Sequence, residues 1–430
     1  MNNLFDSILI KNVQIFDHKQ NSLNLSDVYI ENGIITNIAP NITTSATRLY
    51  DMKNKIMTVG LVDVHVHLRQ PGYEYKETIL TGTKAAARGG YCIIFCMPNT
   101  KPLIDNENEL KKLVQLIDSN AQITTLPYAC ITQKTLNKNE ILTDIDNLSK
   151  LAVAFSNDGT SVMNDNLMKE AMIAIKRNNK VLVEHVEDKT LTNNGVIGTN
   201  DLAKKYNLIY LDKKSEYLQL ERDLKLAALT KCEYHACHMS CKESIDLIRK
   251  YQKDNSNITC EVTPHHLLLN ESDVLNDSNY KMNPPIRSKI DQDALIQGII
   301  DNTISIIATD HAPHSFQEKQ QPFATAPFGI VGIETSFSLL YTKLVKQKII
   351  TLKRLIELMS VNPLKRFNLP EFEIKIGSTA NVMIFDPNTM HEIDSKDFLS
   401  KSKNTPFIGT NVFGRIELTI CKGKVVYERK

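Results

Sequence analysis

The 430-residue chain contains no apolar run approaching the ~20 residues needed to span a bilayer, which excludes a transmembrane helix. A charge bias is also missing. Its 51 basic and 49 acidic residues leave a formal net charge of +2, without the basic footprint that grips nucleic acid. The opening Met-Asn-Asn-Leu-Phe-Asp-Ser lacks the charged and apolar regions of a signal peptide, so the expected compartment is the cytoplasm. There is no internal repeat or low-complexity linker, and the abundance of Asn, Lys and Ile reads as base composition. Eight cysteines occur, but the Cys-x3-Cys pairs Cys92/Cys96 and Cys237/Cys241 have no second pair at zinc-ribbon spacing. Cys92, Cys96, Cys130, Cys237 and Cys260 sit in apolar, strand-like stretches, where reduced thiols pack as small hydrophobes.

What is present is alternation. The composition, 42% hydrophobic and 23% charged, is that of an ordinary globular enzyme. Short runs rich in Val, Ile and Phe recur at 56–67, 91–97, 123–132, 151–158, 181–187, 233–240, 258–266 and 304–311. Stretches of helical periodicity separate them, at 77–88, 107–118, 166–177, 216–230, 242–252 and 291–301. Eight strands alternating with helices predict an α/β fold with a parallel sheet, most economically a closed (β/α)8 barrel of the TIM type. An open doubly wound sheet is the alternative, but no Gly-x-Gly-x-x-Gly follows the first strand. Residues 1–55 and those from about 370 onward read instead as short strands and turns, each set too small for a core of its own. The expectation is a small β-sandwich built from both chain ends, 1–55 plus 370–430, beside a catalytic barrel over 56–369.

Polar residues then interrupt the apolar strands at particular places. In Val62-Asp63-Val64-His65-Val66-His67-Leu68-Arg69 the alternation of a strand turns His65 and His67 the same way, close enough to share a cation, with Arg69 continuing that face. Asp158 ends the fourth strand, His185 the fifth, His238 the sixth and Asp310 the eighth. Barrel active sites lie at the C-terminal ends of the strands, so four imidazoles and two carboxylates converge on one mouth. That donor set suits divalent zinc, manganese or iron. Six ligands exceed the needs of one four-coordinate zinc, and two metals sharing a carboxylate are the natural count. Asp158 is the expected bridge, with His65, His67 and Asp310 on one ion and His185 and His238 on the other. Bound water would then ionise near neutrality, with Asp310 placed to take its proton and return it to a leaving nitrogen.

This constellation resembles the amidohydrolase superfamily, and the surrounding words resemble its dihydroorotase family. They are Asp63 to Gly72, Cys96-Met97-Pro98-Asn99-Thr100, Thr263-Pro264-His265-His266, Lys281-Met282-Asn283-Pro284-Pro285-Ile286-Arg287 and Thr309-Asp310-His311-Ala312-Pro313-His314, in the expected order over the whole chain. The resemblance implies zinc, two ions or one, and reversible interconversion of N-carbamoyl-L-aspartate and L-dihydroorotate in pyrimidine biosynthesis. It also implies that Arg69, Asn99 and His314 grip the substrate α-carboxylate, that Asn283 binds the ring edge, and that Phe328 and Gly329 offer backbone groups to the ring. His265, His266 and His311 are expected to pack or hydrogen-bond behind the ligands, and His235, of opposite parity to His238, to face the helices. The loop 315–326 is expected to order over bound substrate.

Many amidohydrolases bridge their metals with a carbamylated lysine at the end of strand four. Here that strand, 151–158, holds no lysine and ends in aspartate. The chain therefore resembles the dihydroorotases that bridge with Asp, and a hydantoinase or dihydropyrimidinase becomes the alternative enzyme. A non-catalytic scaffold for aspartate transcarbamoylase is the alternative outside catalysis, although such a chain would be expected to have lost ligands. A homodimer, or an active complex with the transcarbamoylase, stays compatible with the sequence.

Overall fold

A computed structural model describes residues 7–134 and 140–429; the absence of a signal peptide was read largely from residues 1–6, which lie outside the described residues. Strands from the two chain ends build one eight-stranded sheet. Ile8–Asp17 pairs antiparallel with Ser22–Glu31, which pairs with Ile34–Ala39, while Arg48–Asp51 and Ile56–Val59 run parallel to Ile8–Asp17. The other end contributes Val382–Asp386, antiparallel to Ile56–Val59, followed outward by Arg415–Cys421 and Lys424–Glu428. Ile34 also bridges Thr379, so the sheet curls back on itself. The curl encloses Ile8, Ile10, Val13, Val28, Ile30, Met57, Ile384, Leu418 and Ile420 in one apolar cluster. Neither end has enough apolar surface to bury alone.

The stretch 56–67, expected as one strand, divides at Gly60. Ile56–Val59 joins the terminal sheet and Leu61–Val66 is the first barrel strand. A side chain at Gly60 would meet the Cys92 sulfur at 2.3 Å, so the crossing from sheet to barrel needs glycine there.

The barrel continues through Tyr91–Cys96, Thr124–Pro127, a single bridging residue Phe155, Val181–Glu184, Glu233–Ala236, Ile258–Val262 and Ile306–Ile307. Parallel pairing, completed by the bridges Ala129 to Phe155, Phe155 to Leu182 and Val66 to His311, closes the ring. The fourth strand is short for a local reason. The Asn157 side-chain oxygen accepts the amides of Ile131 and Thr132 at 2.9 and 3.2 Å, taking the place of further strand pairing. Val62, Val64, Phe95, Tyr128, Val183, Ile306 and Ala308 fill the interior, whereas Leu61, Ile94, Leu182, Tyr234 and Val262 face the helices. Strands covered on both faces read as continuous apolar runs, which is why they stood out in the sequence.

The helices fall where periodicity placed them: Ile79–Arg88, Glu107–Asn120, Asp165–Arg177, Lys214–Thr230, Lys242–Gln252 and Lys289–Ile300. Thr78 and Ser288 close capping boxes and Asn106 and Asn164 accept an N3 amide, each cap contributing ~1 kcal/mol. All eight cysteines are buried and unpaired. Among the described residues no helix is long and apolar enough to cross a membrane.

Candidate metal centre and substrate pocket

The ends of five barrel strands carry the six expected ligands to one place, and all six are buried. His65 Nε2 lies 3.3 Å from Asp158 Oδ1 and 3.5 Å from Asp310 Oδ1; His67 Nε2 lies 3.4 Å from Asp158 Oδ2 and 3.0 Å from Asp310 Oδ1. His185 Nδ1 is 2.9 Å from His238 Nε2 and 3.8 Å from Asp158 Oδ1. Asp158 is thus the carboxylate that touches both halves of the cluster. Ligand atoms of His65, His67 and Asp310 fall within 4.8 Å of one another, as do those of His65, Asp158 and His238.

Backbone conformation aims two of these groups. His238 has φ +35° and Asp310 φ +48°, the left-handed region where a strand cannot continue. Such strain concentrates at functional sites and persists only where the surroundings impose it. At His238 it also overturns an expectation. Strand alternation put His235 toward the helices, but the interior face of this strand is that of His235 and Cys237, and His238 turns inward because the strand has already broken.

His235 is buried, and its Nε2 lies 3.0 Å from Glu261 Oε2 while Glu261 Oε1 lies 2.7 Å from His65 Nδ1. Glu261 thereby holds the His65 ring with Nε2 turned into the cluster. A carboxylate behind a ligating imidazole fixes its tautomer and raises its basicity. Sequence reasoning missed Glu261, although a lone acid inside Ile-Thr-Cys-Glu-Val was a signal. It missed Asp63 as well, which takes the Thr309 hydroxyl at 2.5 Å and its amide at 3.1 Å, tying the first strand to the last.

The electrostatics favour a cation. Burial alone would raise the Asp158 and Asp310 carboxyls, yet the surrounding imidazoles outweigh it and hold both well below the ordinary carboxylate range. Burial likewise raises Glu261, but His65 and His235 bring it down to about 2. For His238 burial and the neighbouring His185 and His65 act together, pulling it down to about 3 and leaving a neutral imidazole. His65 Nε2 and His238 Nδ1 are buried without a hydrogen-bond partner. Orphaned imidazole nitrogens beside ionised carboxylates are the donor set of a divalent metal, so the described residues contain groups able to hold one.

The remaining expected residues ring this cluster. Arg69, with φ +61°, donates from Nε to the Pro313 carbonyl at 3.1 Å and places Nη2 3.4 Å from His314 Nε2. Asn99, expected beside Arg69 and His314, instead bridges two ligands. Its Oδ1 is 3.0 Å from His67 Nδ1 and its Nδ2 donates to Asp158 Oδ2 at 2.8 Å. Asn283 donates to Glu187 Oε1 at 3.0 Å and approaches His185 Nε2 at 3.4 Å. Gly329 has φ +128°, and a side chain there would meet Ala312 Cβ at 2.6 Å, so only glycine lets this strip lie against the pocket wall. His266 lies between Thr263 and the Pro284 carbonyl, and His311 accepts the Gly332 amide and faces Glu77 at 3.6 Å. His265 Nε2 is buried without a partner. Within 315–326, Ser315 caps a short helix, Phe316–Lys319, whose buried Lys319 donates to the carbonyls of Pro327 and Gly329 at 3.1 and 3.0 Å.

A family model described as dihydro-orotase-like matches residues 54–244. The chain is 45% identical over 423 residues to a dihydroorotase of Staphylococcus aureus, covering 98% of this chain and 99% of the relative. It is 43% identical over 426 residues, with the same coverage, to a dihydroorotase of a Geobacillus species. Among solved structures, an L-hydantoinase (dihydropyrimidinase) from Arthrobacter aurescens superposes with a TM-score of 0.85 at 23% identity, over 99% of this chain and 96% of that one. A dihydropyrimidinase from Brevibacillus agri gives 0.83 at 20%, over 98% and 95%. The structural likeness carries the TIM-barrel fold, whereas near-complete coverage at 43–45% identity carries the family, and this chain belongs to the dihydroorotase family.

Proposed function

We propose that this protein is a metal-dependent dihydroorotase, interconverting N-carbamoyl-L-aspartate and L-dihydroorotate in de novo pyrimidine biosynthesis. The observation that carries the reading is the buried ring of His65, His67, Asp158, His185, His238 and Asp310, set in a chain related to named dihydroorotases along almost its whole length. Zinc is the proposed metal, two ions per chain, which His65, His67, Asp158, His185, His238 and Asp310 would hold. Metal bound there supplies Lewis acidity toward the ring carbonyl and makes water acidic enough to serve as a nucleophile at neutral pH.

The side chains complete the chemistry. Asp310, ionised because the imidazoles outweigh its burial, accepts a proton from the attacking water. As the carbonyl carbon gains that oxygen and its bond to the ring nitrogen breaks, Asp310 returns the proton to the leaving nitrogen. In the reverse direction Asp310 takes the ureido proton as that nitrogen bonds to the carbon of the protonated β-carboxyl group, and returns it to the departing hydroxyl oxygen, which leaves as water. Arg69 and His314 face the α-carboxylate, joined by Asn99 when it releases Asp158; Asn283, Phe328 and Gly329 face the ring. Glu261 keeps His65 oriented throughout.

A homodimer, or a complex of the active enzyme with aspartate transcarbamoylase, is compatible with this assignment. The same proposal divides the chain into a composite terminal unit, 1–55 with 370–430, and a catalytic barrel over 56–369, working in the cytoplasm. It is tested by assaying the purified chain on L-dihydroorotate, dihydrouracil and hydantoin. Strong preference for dihydroorotate is expected. Equal turnover of the uncharged rings would overturn the reading in favour of a hydantoinase.

A further inference from the structure

Lys76 stands against His314 at the carboxylate end of the pocket. Its side chain is 12% exposed, and Nζ lies 2.9 Å from Glu318 Oε1 and 3.3 Å from His314 Nδ1. The rings of Tyr73 and Tyr75 flank it, their centroids 5.4 and 5.5 Å away. An ammonium only donates, so His314 Nδ1 must present its lone pair. On the opposite side Nε2 lies 2.7 Å from the Phe328 carbonyl oxygen, which only accepts, so Nε2 carries the hydrogen. Arg69 Nη2 lies 3.4 Å from the same nitrogen, a longer contact than the 2.7 Å to the carbonyl, so the carbonyl sets where the hydrogen sits. The charged groups facing the imidazole are Glu318, whose Oε2 is 3.7 Å from Nδ1, and the cations Arg69, Lys76 and Lys319. Burial, then those cations, push His314 down to about 2, in accord with the geometry.

We propose that Lys76 is a positioning residue: it holds His314 as the neutral Nε2–H imidazole that pins the Phe328 carbonyl, and through Glu318 it ties the 315–319 segment to the loop bearing Arg69. Glu318 reinforces the tie by accepting from the Ser315 amide and hydroxyl at 2.9 and 3.0 Å and from the Tyr75 hydroxyl at 3.3 Å. The substrate-facing strip Phe328-Gly329 is then held by a ring of fixed tautomer. Without the ammonium, Nδ1 loses the donor that sets the tautomer, and the neutral ring can instead carry its hydrogen on Nδ1, toward Glu318, leaving the Phe328 carbonyl without its donor.

The kinetic arm of the test rests on the dihydroorotase reading; the spectroscopic arm does not. With 15N-histidine labelling, the His314 ring signals are assigned by their loss in His314→Gln. Wild type and Lys76→Arg should show the Nε2–H tautomer. Lys76→Met should show a growing share of the Nδ1–H tautomer. In the same variant the KM for dihydroorotate should rise roughly tenfold, with kcat little changed. Lys76→Arg, which keeps the charge, should retain the wild-type KM and show that folding is intact. An Nδ1–H ring in the wild type, or an unaltered ring and KM in Lys76→Met, would overturn the inference. A wild type inactive on dihydroorotate but with the expected ring signals would refute the functional reading alone.

Discussion

Glu261 reaches the histidine–carboxylate cluster only through His65, yet its position gives it measurable weight. Replacing it with Gln keeps the shape but leaves the 2.7 Å contact to His65 Nδ1 uncharged and the adjacent His235 without its anionic partner. Loss of such an outer partner typically costs 10- to 100-fold in metal affinity, so Glu261→Gln should release zinc to a competing chelator at correspondingly lower chelator concentration. Unchanged zinc retention would mean that the ring needs no anchor. Arg69 makes the complementary case at the pocket rim. Removing a charged hydrogen-bond partner costs ~2–3 kcal/mol, roughly 30- to 150-fold. Arg69→Met should therefore lose at least that much kcat/KM on dihydroorotate while its metal content stays at the wild-type level. At this scale the sequence was informative wherever a polar residue ended an apolar strand, as at His65, His185 and Asp310. It misled at His235, because inward-pointing alternation stops where φ becomes positive at His238, and backbone strain leaves no periodic trace.

Elements succeed or fail here according to where their hydrogen bonds go. The six long helices were legible because each buries residues at helical spacing and four of them carry a Ser, Thr or Asn cap, both local features. The fourth barrel strand was legible as an apolar run but not as a single bridge, since a side chain, Asn157, replaces its outer pairing. Asn157→Ala should strand two buried amides and one hydroxyl partner, destabilising the barrel by ~2–3 kcal/mol in urea melts. An unchanged midpoint would show that water replaces the asparagine. In the terminal sheet, Asp386 accepts from Lys55 at 2.5 Å, the Thr389 hydroxyl at 2.6 Å and the Asn388 and Thr389 amides. Burial raises this carboxyl, but Lys55, Thr389 and the amides outweigh it, leaving it well below the ordinary aspartate range. A depressed folded-state pKa contributes stability that is present above the unfolded value near ~4 and lost as pH falls through the folded one. Asp386→Asn should thus lower Tm at pH 7, and its gap to wild type should narrow below about pH 4. A gap independent of pH would assign the effect to packing.

Across the whole molecule, one fold-level fact was hidden from strand counting. The run 56–67 looks continuous, but its first four residues serve the terminal sheet and its next six the barrel, because only the three-dimensional crossing at Gly60 separates them. The meeting of the two chain ends was legible, since neither end could bury its own apolar face, although they form one curled sheet where a sandwich was expected. The site was legible as a set of ligands and less so as a supported structure: Glu261, Asp63, Glu187 and Lys76 all act through other side chains rather than by ending a strand. The account as a whole stands on that ligand set holding metal that dihydroorotate turnover requires. The direct measurement is to strip the purified protein with chelator, titrate zinc back, and follow bound zinc and dihydroorotate hydrolysis together. Activity should vanish on stripping and return in proportion to zinc bound, up to two ions per chain. His67→Ala should recover neither full zinc binding nor turnover. Full hydrolysis by the stripped protein, or by His67→Ala, would contradict the account.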